Sequence, residues 1–110
     1  LINNNEVIKY LKKKKYKCLR LTELNLKDQI SIFKNCNSII APHGAGLTNI
    51  AFCKKKTKVI EIIPKNNKNY LFKRISKINK LKYKSIYLDK IYNNKNGDMH
   101  LDLKYLKKYV

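Results

Sequence analysis

Apolar residues recur along this chain in two rhythms, and the rhythms alternate. Val7, Ile8 and Leu11 share one helical face, Lys12–Lys15 lie off it, and Asn5 can cap, so a helix is expected from Asn5 to about Lys15. Tyr16–Leu21 reads as a short strand. Asn25 followed by Asp28 resembles a capping box and opens a second helix reaching about Cys36, with Leu26, Ile30 and Phe33 as its stripe. Ser38–Ala41 is a short apolar strand ended by Pro42, which has no N–H to give a ladder. A Gly-containing turn follows, then a third helix over about Gly46–Phe52. Lys58–Ile63 is the strongest strand, stopped by Pro64. A fourth helix is expected over Tyr70–Leu81 on Leu71, Ile75 and Ile78, then a strand over Lys84–Leu88, a polar loop over Asn93–Gly97 and a closing helix on Leu103, Leu106 and Val110.

Strands thus alternate with helices, and the two central strands are almost wholly apolar. That pattern belongs to a parallel sheet covered on both faces. Right-handed crossovers then make an α/β, Rossmann-like three-layer domain. The 110 residues suit one domain, 1–110, with no internal repeat or linker. The chain begins at Leu1, not Met, and is expected to be a fragment or an excised domain.

A formal charge of +19 raises the question of nucleic acid or an anionic membrane. Of the 26 basic residues all but Arg20 and Arg74 are lysine, whereas nucleic-acid readers lean on the bidentate guanidinium. The lysines are spread from Lys9 to Lys108 rather than gathered in one block, so most are expected on a solvated face, and no specific nucleic acid is expected as a partner. Cys18, Cys36 and Cys53 are odd in number and form no C-x-x-C pair. A disulfide framework or structural zinc is therefore not expected, and the three read as small buried hydrophobes. No apolar run reaches the 18 or more residues of a membrane span.

The candidate chemistry sits in the turn after the Ser38–Ala41 strand. In an open α/β sheet, ligands bind beyond the carboxyl ends of the strands. Gly44 and Gly46 let the backbone turn and approach a ligand closely, and the following helix offers unpaired N–H groups to an anion. His43, Thr48 and Asn49 add polar groups. Local physics leaves a second reading equally open, a tight connection whose glycines serve packing. G-x-G-x-x-G and G-x-x-x-x-G-K-[ST] are both absent. His43-Gly44-Ala45-Gly46 is similar to an esterase oxyanion loop, but no G-x-S-x-G elbow follows.

The run Ser38-Ile39-Ile40-Ala41-Pro42-His43-Gly44-Ala45-Gly46-Leu47-Thr48-Asn49-Ile50-Ala51-Phe52 resembles the signature of glycosyltransferase family 61. Val59-Ile60-Glu61-Ile62-Ile63-Pro64 is similar to the strand that follows it there, and Gln29–Phe33, Tyr83–Tyr87 and Asp98–Asp102 match more loosely. The resemblance implies the C-terminal, donor-binding half of a two-domain GT-B enzyme. It implies an inverting transfer of sugar from a nucleotide sugar, UDP-linked by expectation, to a hydroxyl of a glycan or glycoprotein. No metal or other cofactor is implied. His43, Gly44, Ala45, Gly46, Leu47 and Thr48 would hold the diphosphate, and Glu61, at the end of its strand, would accept from the ribose hydroxyls. The general base and the acceptor site would lie in the other domain, and any membrane association in segments outside this chain. A basic nucleic-acid-binding module and a non-catalytic scaffold are the alternatives. His100 reads as structural or exposed, while Tyr70, Tyr83 and Tyr87 are candidates for stacking on a nucleobase.

Overall fold

In the computed structural model, which describes residues 4–64, 70–88 and 103–110, three strands form one parallel sheet. They are β1 (Ser38–Pro42), β2 (Lys58–Pro64) and β3 (Lys82–Leu88), in the order β1-β2-β3. Ala41 stands beside Glu61, and Glu61 beside Ser85. The helices are α1 (Asn4–Lys13), α2 (Leu26–Asn35), α3 (Leu71–Ile78) and α4 (Leu103–Lys107), with 3₁₀ segments at Leu21–Glu23 and Ala45–Phe52.

Side chains alternate across a strand, so each strand feeds two cores. Ile40, Ile60, Ile62 and Ile86 point to one face, where Val7 of α1 and Leu106 of α4 cover them. Ile39, Ala41, Val59 and Tyr83 point to the other, against Phe33 of α2, Leu47, Ile50 and Cys53 around the long 3₁₀ segment, and Phe72 of α3. Val59 and Ile60 are both fully buried, which is why β2 reads as a continuous apolar run. The three-layer α/β expectation is met. On the first face, Tyr10 donates to the carbonyl of Val110 at 3.0 Å and Lys58 Nζ donates to that of Tyr109, tying α1 and β2 to the residues after α4.

Four local expectations need correction. Tyr16–Leu21 is not a strand: Tyr16 OH meets Ser38 Oγ at 2.7 Å and Leu21 packs into the core beneath α2. Lys17–Arg20 are exposed, so no cross-strand packing rewards pairing. The segment after the turn is 3₁₀, not α. Leu47, Ile50 and Cys53 are three apart and all buried, and three residues per turn is the period that stacks them on one side. In α2 Phe33 is inward as expected and Leu26 is not, and in α3 the buried stripe is rotated from the one expected. Leu26, Leu71 and Ile78 are exposed, and the inward residues are Phe33 in α2 and Phe72, Ile75 and Ser76 in α3, the last three at i, i+3, i+4. Cys18 is exposed, unlike Cys36 and Cys53. The Asn25 cap forms as expected, its side chain accepting from the Asp28 N–H at 2.8 Å. The polar loop 93–97 and His100 lie outside the described residues.

Both α1 and α3 end in the same motif. Leu81 N–H reaches back to the Ser76 carbonyl and Lys80 N–H to that of Lys77, while Tyr16 and Lys15 do the same to Leu11 and Lys12. Those are the two bonds of a Schellman cap. The left-handed position, usually glycine, is Lys80 (φ 57°) in one and Lys15 (φ 70°) in the other, and Lys56 in the turn before β2 has φ 70°.

Candidate functional site

Pro42 closes β1, and one further rung forms past it: His43 N–H donates to the Ile62 carbonyl at 2.8 Å. Gly44 follows with φ 171° and ψ 171°, an extended backbone that any residue adopts. A methyl group there would meet nothing nearer than the Pro42 carbonyl oxygen at 4.0 Å. The turn therefore does not need Gly44 for its own geometry, contrary to the expectation. Gly46 is different, because a methyl group there would stand 2.9 Å from Leu21 Cδ1. Its absence lets the 3₁₀ segment sit close to Leu21. Leu47 N–H bonds the Gly44 carbonyl at 3.1 Å, which leaves Ala45 and Gly46 as the N–H groups without an intrahelical acceptor.

His43 and Glu61 meet. His43 Nδ1 lies 2.5 Å from Glu61 Oε2, and Tyr83 OH donates to Oε1. Glu61 is 1 % exposed. It is the central residue of β2, beside Ala41 and Ser85, rather than at the strand end as expected. Register explains the meeting. Glu61 and Tyr83 share the face that carries α3, and His43, two residues beyond Ala41, turns toward that same face. Phe72, in the first turn of α3, packs against the imidazole with ring centroids 5.0 Å apart and planes at 66°. A buried carboxylate must be hydrogen-bonded or paired, and in a chain with 24 lysines the partners of Glu61 are a histidine and a tyrosine.

A carboxylate is an acceptor at both oxygens, so Nδ1 of His43 carries a proton and Nε2 is the ring nitrogen Glu61 does not hold. Burial, and next the hydrogen bond and charge of Glu61, push the Tyr83 phenol well above its ordinary value. Tyr83 therefore stays protonated and remains a donor through the neutral range. The motif gave no signal for this tyrosine. Two-residue alternation on β3 places it on the Glu61 face, but which hydroxyl reaches Glu61 depends on register between strands.

Not every expected residue contributes a side chain. Leu47 is buried in the core. Asn49 donates to Gln29 Oε1 at 3.0 Å, and Gln29 in turn donates to the carbonyls of Leu21 and Leu24, so this amide bolts the 3₁₀ segment to α2. Thr48 is exposed beside the turn. Tyr70 and Tyr87 are about half exposed, whereas Tyr83 is committed to Glu61. A groove flanked by α1, residues 14–21 and β1 opens onto His43, Gly44 and Gly46, with Lys14, Lys15, Lys17 and Arg20 along its wall. Among the described residues no group of three or more His, Cys, Asp or Glu is placed to hold a metal, and no helix is long and apolar enough to cross a membrane.

Comparison with known proteins adds three findings. The chain is 34 % identical over 68 residues to a beta-1,2-xylosyltransferase of Arabidopsis thaliana, a region covering 62 % of this chain and 13 % of that protein. It is 35 % identical over 65 residues to beta-1,2-xylosyltransferase RCN11 of Oryza sativa subsp. japonica, covering 59 % and 12 %. The chain thus spans about an eighth of the length of these relatives, and no solved structure matches it. The Glycosyltransferase 61 family profile matches residues 1–60, which takes in the whole 38–52 signature and stops one residue short of Glu61. The chain belongs to glycosyltransferase family 61.

Proposed function

We propose that this chain is the donor-binding half of a glycosyltransferase, and that the turn from His43 to Thr48 holds the diphosphate of a nucleotide sugar. The observation that carries the reading is the meeting of His43, just past the carboxyl end of β1, with the buried Glu61 of β2. Ala45 and Gly46 present backbone N–H groups there, and the lysines of the adjoining groove supply positive charge to an anionic ligand. A methyl-free Gly44 leaves room for close approach. Glu61 is buried with its two oxygens taken by His43 and Tyr83, so its part here is to hold His43 toward the ligand rather than to meet the ribose expected of it. In the full enzyme the transfer is inverting displacement at the anomeric carbon. The charge growing on the leaving diphosphate is met by the N–H groups, His43 and lysines without a metal ion. The base that activates the acceptor hydroxyl and the acceptor site belong to a second, GT-B-type domain. Both curated relatives are named for xylosyl transfer, so a xylosyl donor is the first to try.

The test is calorimetric titration of the folded chain with UDP and GDP, with and without a chelator. Saturable heat with UDP, unchanged by the chelator, is expected. No heat with either nucleotide from a folded sample overturns the reading.

A further inference from the structure

Tyr83 meets Glu61 at the candidate site without a role in the reading above. We propose that it is a positioning residue for His43, acting through Glu61. The inference rests on the reading that His43 faces the donor diphosphate, and it adds what makes His43 competent to do so.

Four observations converge. Tyr83 OH donates to Glu61 Oε1 while His43 Nδ1 meets Oε2, so the two donors grip opposite oxygens of one carboxylate. The carboxylate is almost completely buried, so water does not compete for those oxygens. The parallel register places Tyr83 beside Val59, two residues before Glu61, so its ring reaches forward along the same sheet face. Phe72 packs edge-on against the imidazole and limits its tilt, without a polar group that could choose between ring nitrogens.

A glutamate side chain has a freely rotating terminal torsion, and one donor alone leaves its plane undetermined. Tyr83 supplies the second point. With Oε1 held, Oε2 is aimed at Nδ1, the proton sits on Nδ1, and Nε2 is the nitrogen offered to the ligand. Without Tyr83 the carboxylate plane swings, and His43 samples both tautomers and a wider range of ring angles. Second partners of this kind commonly fix the tautomer of a working histidine.

Nitrogen-15 NMR of the imidazole in the whole chain, assigned with His43→Ala, reads this directly. The wild type is expected to show a protonated Nδ1 with a downfield, slowly exchanging proton. In Tyr83→Phe, which keeps ring and volume, that proton should exchange rapidly or vanish and the nitrogen shifts should move toward a tautomer average. Glu61→Gln is the second variant and should abolish the signal. UDP affinity should fall about threefold to tenfold in Tyr83→Phe, the worth of one hydrogen bond. His43→Ala added to Tyr83→Phe should cost less than in the wild type, since the two act as a unit. An unchanged Nδ1 proton in folded Tyr83→Phe overturns the proposal, and so do additive losses. Absence of UDP heat in the wild type removes the donor reading alone, because the NMR signature is measured without nucleotide.

Discussion

A glycine is usually explained by its backbone angles or by a lack of room for a methyl group, and at Gly44 neither applies. The backbone is extended, and the nearest atom to an added Cβ is 4.0 Å away. What remains is room for something outside the chain. Gly44→Ala is therefore expected to leave the unfolding midpoint within about 0.5 kcal/mol of wild type, as for an ordinary surface change. UDP affinity should nevertheless drop tenfold or more, and calorimetry beside thermal melting separates the two. Equal loss of stability and binding would show that Gly44 serves the fold. At this scale the sequence was partly legible. His43 and Glu61 could both be named as candidates from the family resemblance, but their contact could not, because it depends on β1–β2 register and on His43 turning toward the α3 face. Tyr83 could be named only as a stacking candidate in a loosely matching run, since nothing in its neighbours encodes a partner on another strand.

Among the elements, the 3₁₀ segment Ala45–Phe52 does two jobs at once. One side, Leu47 and Ile50, is core, and its first residues form the candidate anion site. Asn49 fixes its height above the sheet through Gln29. Asn49→Ala leaves the Gln29 carbonyl oxygen without its donor and should cost about 1–3 kcal/mol in urea unfolding. At temperatures where the variant is folded, its UDP affinity should stay within about threefold of wild type, a difference below one hydrogen bond's worth. A large affinity loss with full stability would put Asn49 on the ligand instead. The element types were mostly readable: β1, β2, β3 and the helices follow from apolar spacing and from the Asn25 cap. Two misreadings share a cause. Tyr16–Leu21 has a strand-like composition but pairs with no strand among the described residues, and Leu26, Leu71 and Ile78 have helical spacing but are exposed. Local pattern states what an element could bury, and tertiary contact decides what it does bury.

For the molecule as a whole, the sheet divides labour between its faces. The α1/α4 face is an aliphatic core with Tyr10 and Lys58 tied to the end of the chain. The other face, beneath α2, the 3₁₀ segment and α3, holds the buried carboxylate cluster. With glycine at three positions and a charge of +19, the chain is also poor in one residue and rich in another, and the helix ends show where the two facts meet. Lys15 and Lys80 occupy left-handed cap positions that glycine fills at no steric cost, and Lys56 does so in a turn. Each such lysine stores about 1–2 kcal/mol of backbone strain, against about 0.4–1 kcal/mol that glycine would lose through a freer unfolded chain. Lys80→Gly should then raise stability by roughly 0.5–1 kcal/mol, read as a melting-point rise of several degrees in a domain this size. A fall in the melting point would mean that the Lys80 side chain earns its place. All three replacements together would also withdraw three positive charges from a self-repelling surface. The protein thus carries an unspent margin of thermal tolerance at its caps and turns, reachable at Lys56 and Lys80 without touching the groove that Lys15 lines.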